Sequence, residues 1–200
     1  MHAKILLTLG ITLVVGQEQP GSLIGRWRSA EVSPAGVSTV FEFVAGNQLD
    51  CYLSVFLEQK YRVVGTDTII LQSNGGREEK LELEWDHVNR ARIDDEAAGK
   101  AIELVRVGKI LDGQNPIVGE WSTTREWNGT RHPARAVFSA NSRVLWITDL
   151  RADHGRYAVQ NEIIRLEMPK RPVVEGQYQI AGDELTLPNP RGGQSVFKRF

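Results

Sequence analysis

Side chains capable of acid-base, nucleophilic or metal chemistry are sparse in this chain and badly spaced for it. Three of the four histidines, His87, His132 and His154, lie in its body. Asp86-His87 and Asp153-His154 are adjacent in sequence, and on a strand consecutive side chains point to opposite faces. Neither pair can therefore form a carboxylate–imidazole couple. There is no His-x-His, Cys-x-x-Cys or Gly-x-Ser-x-Gly, the spacings that zinc, redox and hydrolase chemistry use. Asp94-Asp95-Glu96 lacks the ligand spacing and the glycine of a calcium loop and reads as a solvated loop. Cys51 is the only cysteine, so no intrachain disulfide exists. Sharing a strand face with Leu49 and Leu53, it reads as a small buried hydrophobe, with no cation or helix start beside it in sequence to activate a thiol. The expectation is a protein without catalytic residues, metal or cofactor.

Two stretches, Trp127 through His132 and Trp146 through Arg156, interleave aromatic residues with arginine, as single-strand nucleic-acid binders do. A net charge of -1 supplies no field to draw nucleic acid or anionic lipid, and neither partner is expected. Charge is uneven between the halves: residues 1–114 hold 12 Lys+Arg against 16 Asp+Glu, and residues 115–200 hold 12 against 9. Asn128-Gly129-Thr130 is a glycosylation acceptor that matters only in a eukaryotic secretory route. Trp127 is expected to cap a barrel or a domain interface, since a loop tryptophan seldom stays fully exposed.

The elements around these residues have a period of two. Thr39–Val44 and Leu49–Val55 flank Ala45-Gly46-Asn47; Lys60–Val63 and Thr68–Leu71 flank Gly65-Thr66-Asp67; Leu81, Leu83 and Trp85 share a face; Ile102–Val107 follows. Ala136–Phe138, Arg143–Thr148, Gly155–Val159, Glu162–Leu166, Gly176–Ile180, Glu184–Leu187 and Ser195–Phe200 repeat that plan. Short alternating strands with turn residues every 8–12 positions predict an all-β sandwich or barrel. Asp94–Lys100 is helix-like for one turn at most.

The chain is also a repeat. Leu23-Ile24-Gly25-Arg26-Trp27 and Ile117-Val118-Gly119-Glu120-Trp121 open two units that close on Arg106 and Arg199. Such self-similarity predicts two copies of one small domain, residues 23–107 and 117–200, joined by a linker at 108–116. Ahead of them, Lys4 and the apolar run Ile5–Val15 form an export signal over residues 1–16, too short to span a bilayer. Residues 17–22 are then a flexible leader. A secreted or periplasmic protein with no stable membrane insertion follows.

The second unit resembles the lipocalin-like domains of exported bacterial proteins through Gly119-Glu120-Trp121, Gly155-Arg156-Tyr157, Tyr178 with Gly182-Asp183-Glu184-Leu185-Thr186-Leu187, and Phe197-Lys198-Arg199. The first unit keeps Gly25-Arg26-Trp27, Phe43, Tyr61 and Arg106, with Lys60 in place of the mid-domain glycine. The resemblance implies two tandem small antiparallel β-barrels, each closed at its base by a tryptophan under an arginine of its own last strand: Trp27 with Arg106, Trp121 with Arg199. It also implies ligand binding. Leu49, Cys51 and Leu53, with Val144, Trp146 and Thr148, are the inward positions that would line a lumen or fill it, and the short strands favour filling. The functional expectation is a non-enzymatic exported protein that binds a small apolar ligand. The alternative is a protein-binding module, such as an inhibitor of a secreted protease.

Overall fold

The structure is a computed structural model that describes residues 22–95, 100–109 and 115–200. The stretches expected to be a signal (residues 1–16) and, apart from Ser22, a leader (residues 17–22) lie outside the described residues, as do the middle of the helix-like stretch and most of the expected linker. Strands make up 70% of the described residues, against the usual 20–25%, as alternation along nearly every segment dictates. The first repeat supplies β1 (Gly25–Ser29), β2 (Val37–Val44), β3 (Gln48–Val64), β4 (Thr68–Gln72), β5 (Glu78–His87), β6 (Arg90–Asp95) and β7 (Lys100–Val107). The second supplies β8 (Gly119–Trp127), β9 (Thr130–Ser139), β10 (Arg143–Gln160), β11 (Ile163–Glu167), β12 (Val174–Gln177), β13 (Gln179–Ala181), β14 (Glu184–Pro188) and β15 (Gln194–Arg199). All belong to one antiparallel sheet.

The ladders of that sheet cross between the repeats. β3 and β10 are 17 and 18 residues long and pair with each other from Arg143↔Lys60 to Arg156↔Gln48. Each thereby enters two circuits of strands. One runs from the C-terminal half of β3 through β4, β5, β6, β7, β8 and β9 to the N-terminal half of β10, and back to β3. We call it ring A. The other, ring B, runs from β1 through β2 and the N-terminal half of β3 to the C-terminal half of β10, then β11 and β12. β13 carries it on to β14 and β15, which returns to β1. Each ring thus takes strands from both repeats. The apolar residues follow the rings: one core gathers Tyr61, Ile69, Leu83 and Ile93 with Trp121, Phe138 and Trp146, the other Trp27, Phe43 and Leu49 with Tyr157, Leu166, Leu187 and Phe197.

Sequence alternation leaves Phe56-Leu57-Glu58-Gln59 outside any strand and places a break between Thr148 and Gly155. The structure has continuous strand at both places. No glycine, proline or asparagine occurs from Ser54 to Gln59 or from Asp149 to His154, so no residue there readily takes the left-handed backbone of a tight hairpin turn, and Ser54 and Asp149 bond to each other across the ladder instead. The true turns carry left-handed residues at matching places, Asn47 (φ 66°) and Ser142 (φ 63°). Residues 95 apart are equivalent across the repeats, as β4 and β11 show. By that offset Ser54 and Asp149 are each other's counterparts, and they face one another across the β3–β10 ladder. A local pseudo-twofold axis therefore passes between them. The buried Ser54 hydroxyl donates to the Asp149 carboxylate at 2.6 Å. Burial pushes the Asp149 carboxyl up from its usual range, and the Ser54 hydrogen bond opposes the shift. A register shift in β10 between Asp149 and Arg151 marks the crossing from one ring to the other.

Gly155 shows how tightly ring B is packed beyond that crossing. A Cβ at this position would stand 2.2 Å from the Glu167 carbonyl oxygen and 2.5 Å from Met168 Sδ. Gly155→Ala is therefore expected to cost about 3 kcal/mol or more in urea unfolding, as overpacking against backbone does. A loss below about 1 kcal/mol would contradict this packing.

Candidate functional site

The four closure residues are placed by the ladders just described. Arg199 pairs with Trp27 across β15–β1, and its guanidinium carbon lies 4.2 Å from the ring. Arg106 pairs with Trp121 across β7–β8 and lies at 4.1 Å. The predicted stacking occurs, but the partners are exchanged: Arg106 covers the tryptophan of the second repeat and Arg199 that of the first. The reason is the strand exchange, which brings the last strand of each repeat to the first strand of the other. Both tryptophans are fully buried. Their indole N–H groups donate to Leu23 and Ile117 carbonyls, each at 2.8 Å. Arg199 donates to the Ile24 carbonyl at 2.9 Å and to that of Ser22; Arg106 donates to the Val118 carbonyl at 3.0 Å and to that of Pro116. These are structural plugs at the base of each ring, with both terminal guanidinium nitrogens of each arginine spent on backbone carbonyls. Gly119 (φ 132°) is needed there, because a Cβ would meet Arg106 Nη1 at 2.7 Å.

Opposite its plug, ring A opens into a cavity of about 700 Å³, within the usual 300–1,000 Å³ of ligand sites. Trp146 forms its floor, with Leu71, Leu81 and Ile93 on the walls and Leu57 at the mouth. The Trp146 indole donates to Gln59 Oε1 at 2.9 Å, which fixes both side chains. Arg125 projects inward on the alternation of Trp121 and Thr123 along β8. Its guanidinium carbon lies 5.0 Å from the Trp146 ring. Among the described residues it has no ion pair. Burial pushes its pKa down, which marks a poorly solvated charge. Rim carboxylates have other cations at hand: Glu126 faces Lys100 at 3.9 Å and Glu103 faces Arg92 at 3.8 Å.

The corresponding end of ring B is differently finished. The segment between β11 and β12 is brought over Cys51, with Arg171 Nη1 3.9 Å from the sulfur, and Arg171 also ion-pairs with Asp153. Cys51 is buried as expected, yet it does have a cation beside it, one that sequence distance hid. Burial still dominates and pushes the thiol up, with Arg171 opposing.

Of the predicted lining residues, Trp146 alone faces the ring A cavity. Val144 lies beneath it, wholly buried in the core, and Thr148 is buried without bordering the cavity. Leu49 and Cys51 belong to the other ring. Leu53 is 43% exposed, a correction to its inward assignment: it sits at the crossing, opposite Arg151, where one ring ends and the other begins. Arg125, Leu57 and Gln59 were not singled out from sequence. The period-two series Trp121, Thr123, Arg125 carries the signal for the first; the other two lie in the segment read as a connection. The remaining expectations concern isolated residues. His87 accepts from the Asn89 amide at 3.4 Å, while His154 lies 2.7 Å from Asp50 and is exposed. Asp153 points away toward Arg151, as opposite strand faces require. Asn128-Gly129, both at positive φ, form the two-residue turn between Trp127 and Thr130, and this turn explains the Asn-Gly pair without a glycan. Trp127 is half-buried at the end of β8.

No protein-family description matches the chain, and no curated protein or solved structure is significantly similar to it.

Proposed function

We propose that the chain is a non-enzymatic, exported, small-ligand-binding protein whose two rings are lipocalin-like β-barrels built by strand exchange between its repeats. The observation that carries this reading is the ring A cavity, with Trp146 at its floor, Leu71, Leu81 and Ile93 on its walls and charged residues around its mouth, open opposite the Trp121–Arg106 plug. A closed base, an open mouth, apolar walls and a few polar groups to orient the guest are what a barrel needs to hold one small molecule. The apolar run Ile5–Val15 supports secretion or a periplasmic location. Ring B is packed tightly at Gly155 and covered near Cys51.

Titration with a hydrophobic dye tests the proposal. Saturable quenching of tryptophan fluorescence is expected, lost in Trp146→Phe. Leu57→Arg, placed at a mouth residue that is 39% exposed, should weaken dye binding about tenfold or more by blocking entry. A dye response unchanged in both variants would place binding elsewhere and sink the reading.

A further inference from the structure

Arg125 reaches into the ring A cavity between the apolar walls of Leu71, Leu81 and Ile93 and a charged rim of Glu79, Lys100, Glu103, Glu126 and Arg131, and no carboxylate of the described residues pairs with it. Arg125 occupies an inward position of β8 at which an apolar or hydroxyl side chain would pack as Thr123 does. Its guanidinium carbon lies over the Trp146 ring, the indole of which is held by Gln59. That contact places the guanidinium in the cavity and leaves its N–H groups to be satisfied from the cavity side. Cation–π contact offsets only part of the desolvation. The contrast with Arg106 and Arg199 is informative: those two stack on tryptophan in the same way, but their N–H groups are spent on backbone carbonyls. No hydrogen-bond acceptor meets the Arg125 guanidinium among the described residues.

Resting on the ligand-binding reading of ring A, we infer that its cavity takes an amphipathic carboxylate, the head group paired with Arg125 and the tail laid against Leu71, Leu81 and Ile93. A planar guanidinium with free edges matches a carboxylate in bidentate fashion, and charge-assisted hydrogen bonds gain strength where water is excluded. The apolar walls supply the affinity for the tail and the arginine supplies the sign of the head. Glu79 at the rim is the one described group that would favour the opposite sign, since Glu103 and Glu126 already face cations.

The test compares decanoate, decanol, decyltrimethylammonium and acetate, below micellar concentrations, by calorimetry on the whole chain. Decanoate is expected to bind about tenfold or more tighter than decanol, with acetate weaker than both. Arg125→Gln should bring decanoate down to the decanol level, and Arg125→Lys should retain part of the preference. Decanol binding as tightly as decanoate would overturn the anionic head while leaving the cavity reading intact. Tightest binding of the quaternary amine would overturn it in favour of Glu79. Acetate as strong as decanoate would reduce Arg125 to a bare anion site, and no binding by any probe would remove both readings. A decanoate preference that survives Arg125→Gln in a folded protein would also overturn it.

Discussion

Deletion of residues 197–200 is expected to unlock ring B through both repeats. Phe197 is buried in that ring's core and stacks 5.1 Å from Phe41; Arg199 covers Trp27 and binds the Ile24 carbonyl; Phe200 meets Phe56 edge-on at 5.6 Å. Every one of these partners belongs to the first repeat. Losing a buried phenylalanine costs about 3–5 kcal/mol, and losing the arginine plug adds roughly 1–3 kcal/mol. That sum rivals the whole stability of a small domain. Hydrogen exchange reads the outcome by region. Protection should fall in β1, β2, β11 and β14, while β4 to β9 stay protected. If protection falls throughout the second repeat and the first stays intact, the rings are confined to their own repeats after all.

Much of this fold was legible in the sequence, and the part that was not has a definite cause. Alternation and turn residues locate the strands because side-chain burial and backbone chirality act within a few residues. The repeat predicts that Trp27, Trp121, Arg106 and Arg199 perform one closure twice. It cannot say which arginine serves which tryptophan, since both assignments satisfy the same local chemistry and the same internal spacing. Ser54–Gln59 decides between them. In a unit folding back on itself this segment would have to turn between the two halves of β3; as continuous strand it carries the chain into the other ring. The segment has no glycine, proline or asparagine, a negative signal that strand patterns do not register. The cavity was legible to the same degree. Trp146 was singled out by alternation, whereas Arg125 and Leu57 become neighbours only because β8 and the C-terminal half of β3 enter the same ring.

Cutting the chain within residues 108–116 is expected to leave the two halves together. The halves share the full β3–β10 ladder, the β1–β15 and β7–β8 ladders and both plugs. Within the described residues those ladders, with the cores they enclose, form an interface of the obligate kind, resembling a domain core cut in half. Native mass spectrometry of the nicked protein should give one 1:1 complex, and the fragments should separate only in denaturant. Produced singly, residues 22–107 place β1 and β7 at open edges, each without the strand it pairs with in the whole chain. They also bring Trp27 and Arg106 together only if Ser54–Gln59 bends against its own preference. Each fragment alone should therefore aggregate or self-associate by the same exchange, and mixing the two during refolding should restore the complex. Replacing Glu58-Gln59 with Asn-Gly supplies the missing turn, and this variant should shift the single fragment toward a monomer. Two native-like monomers from the unaltered fragments, with no complex on mixing, would mean that each repeat closes by itself and that the long strands are not what holds the protein together.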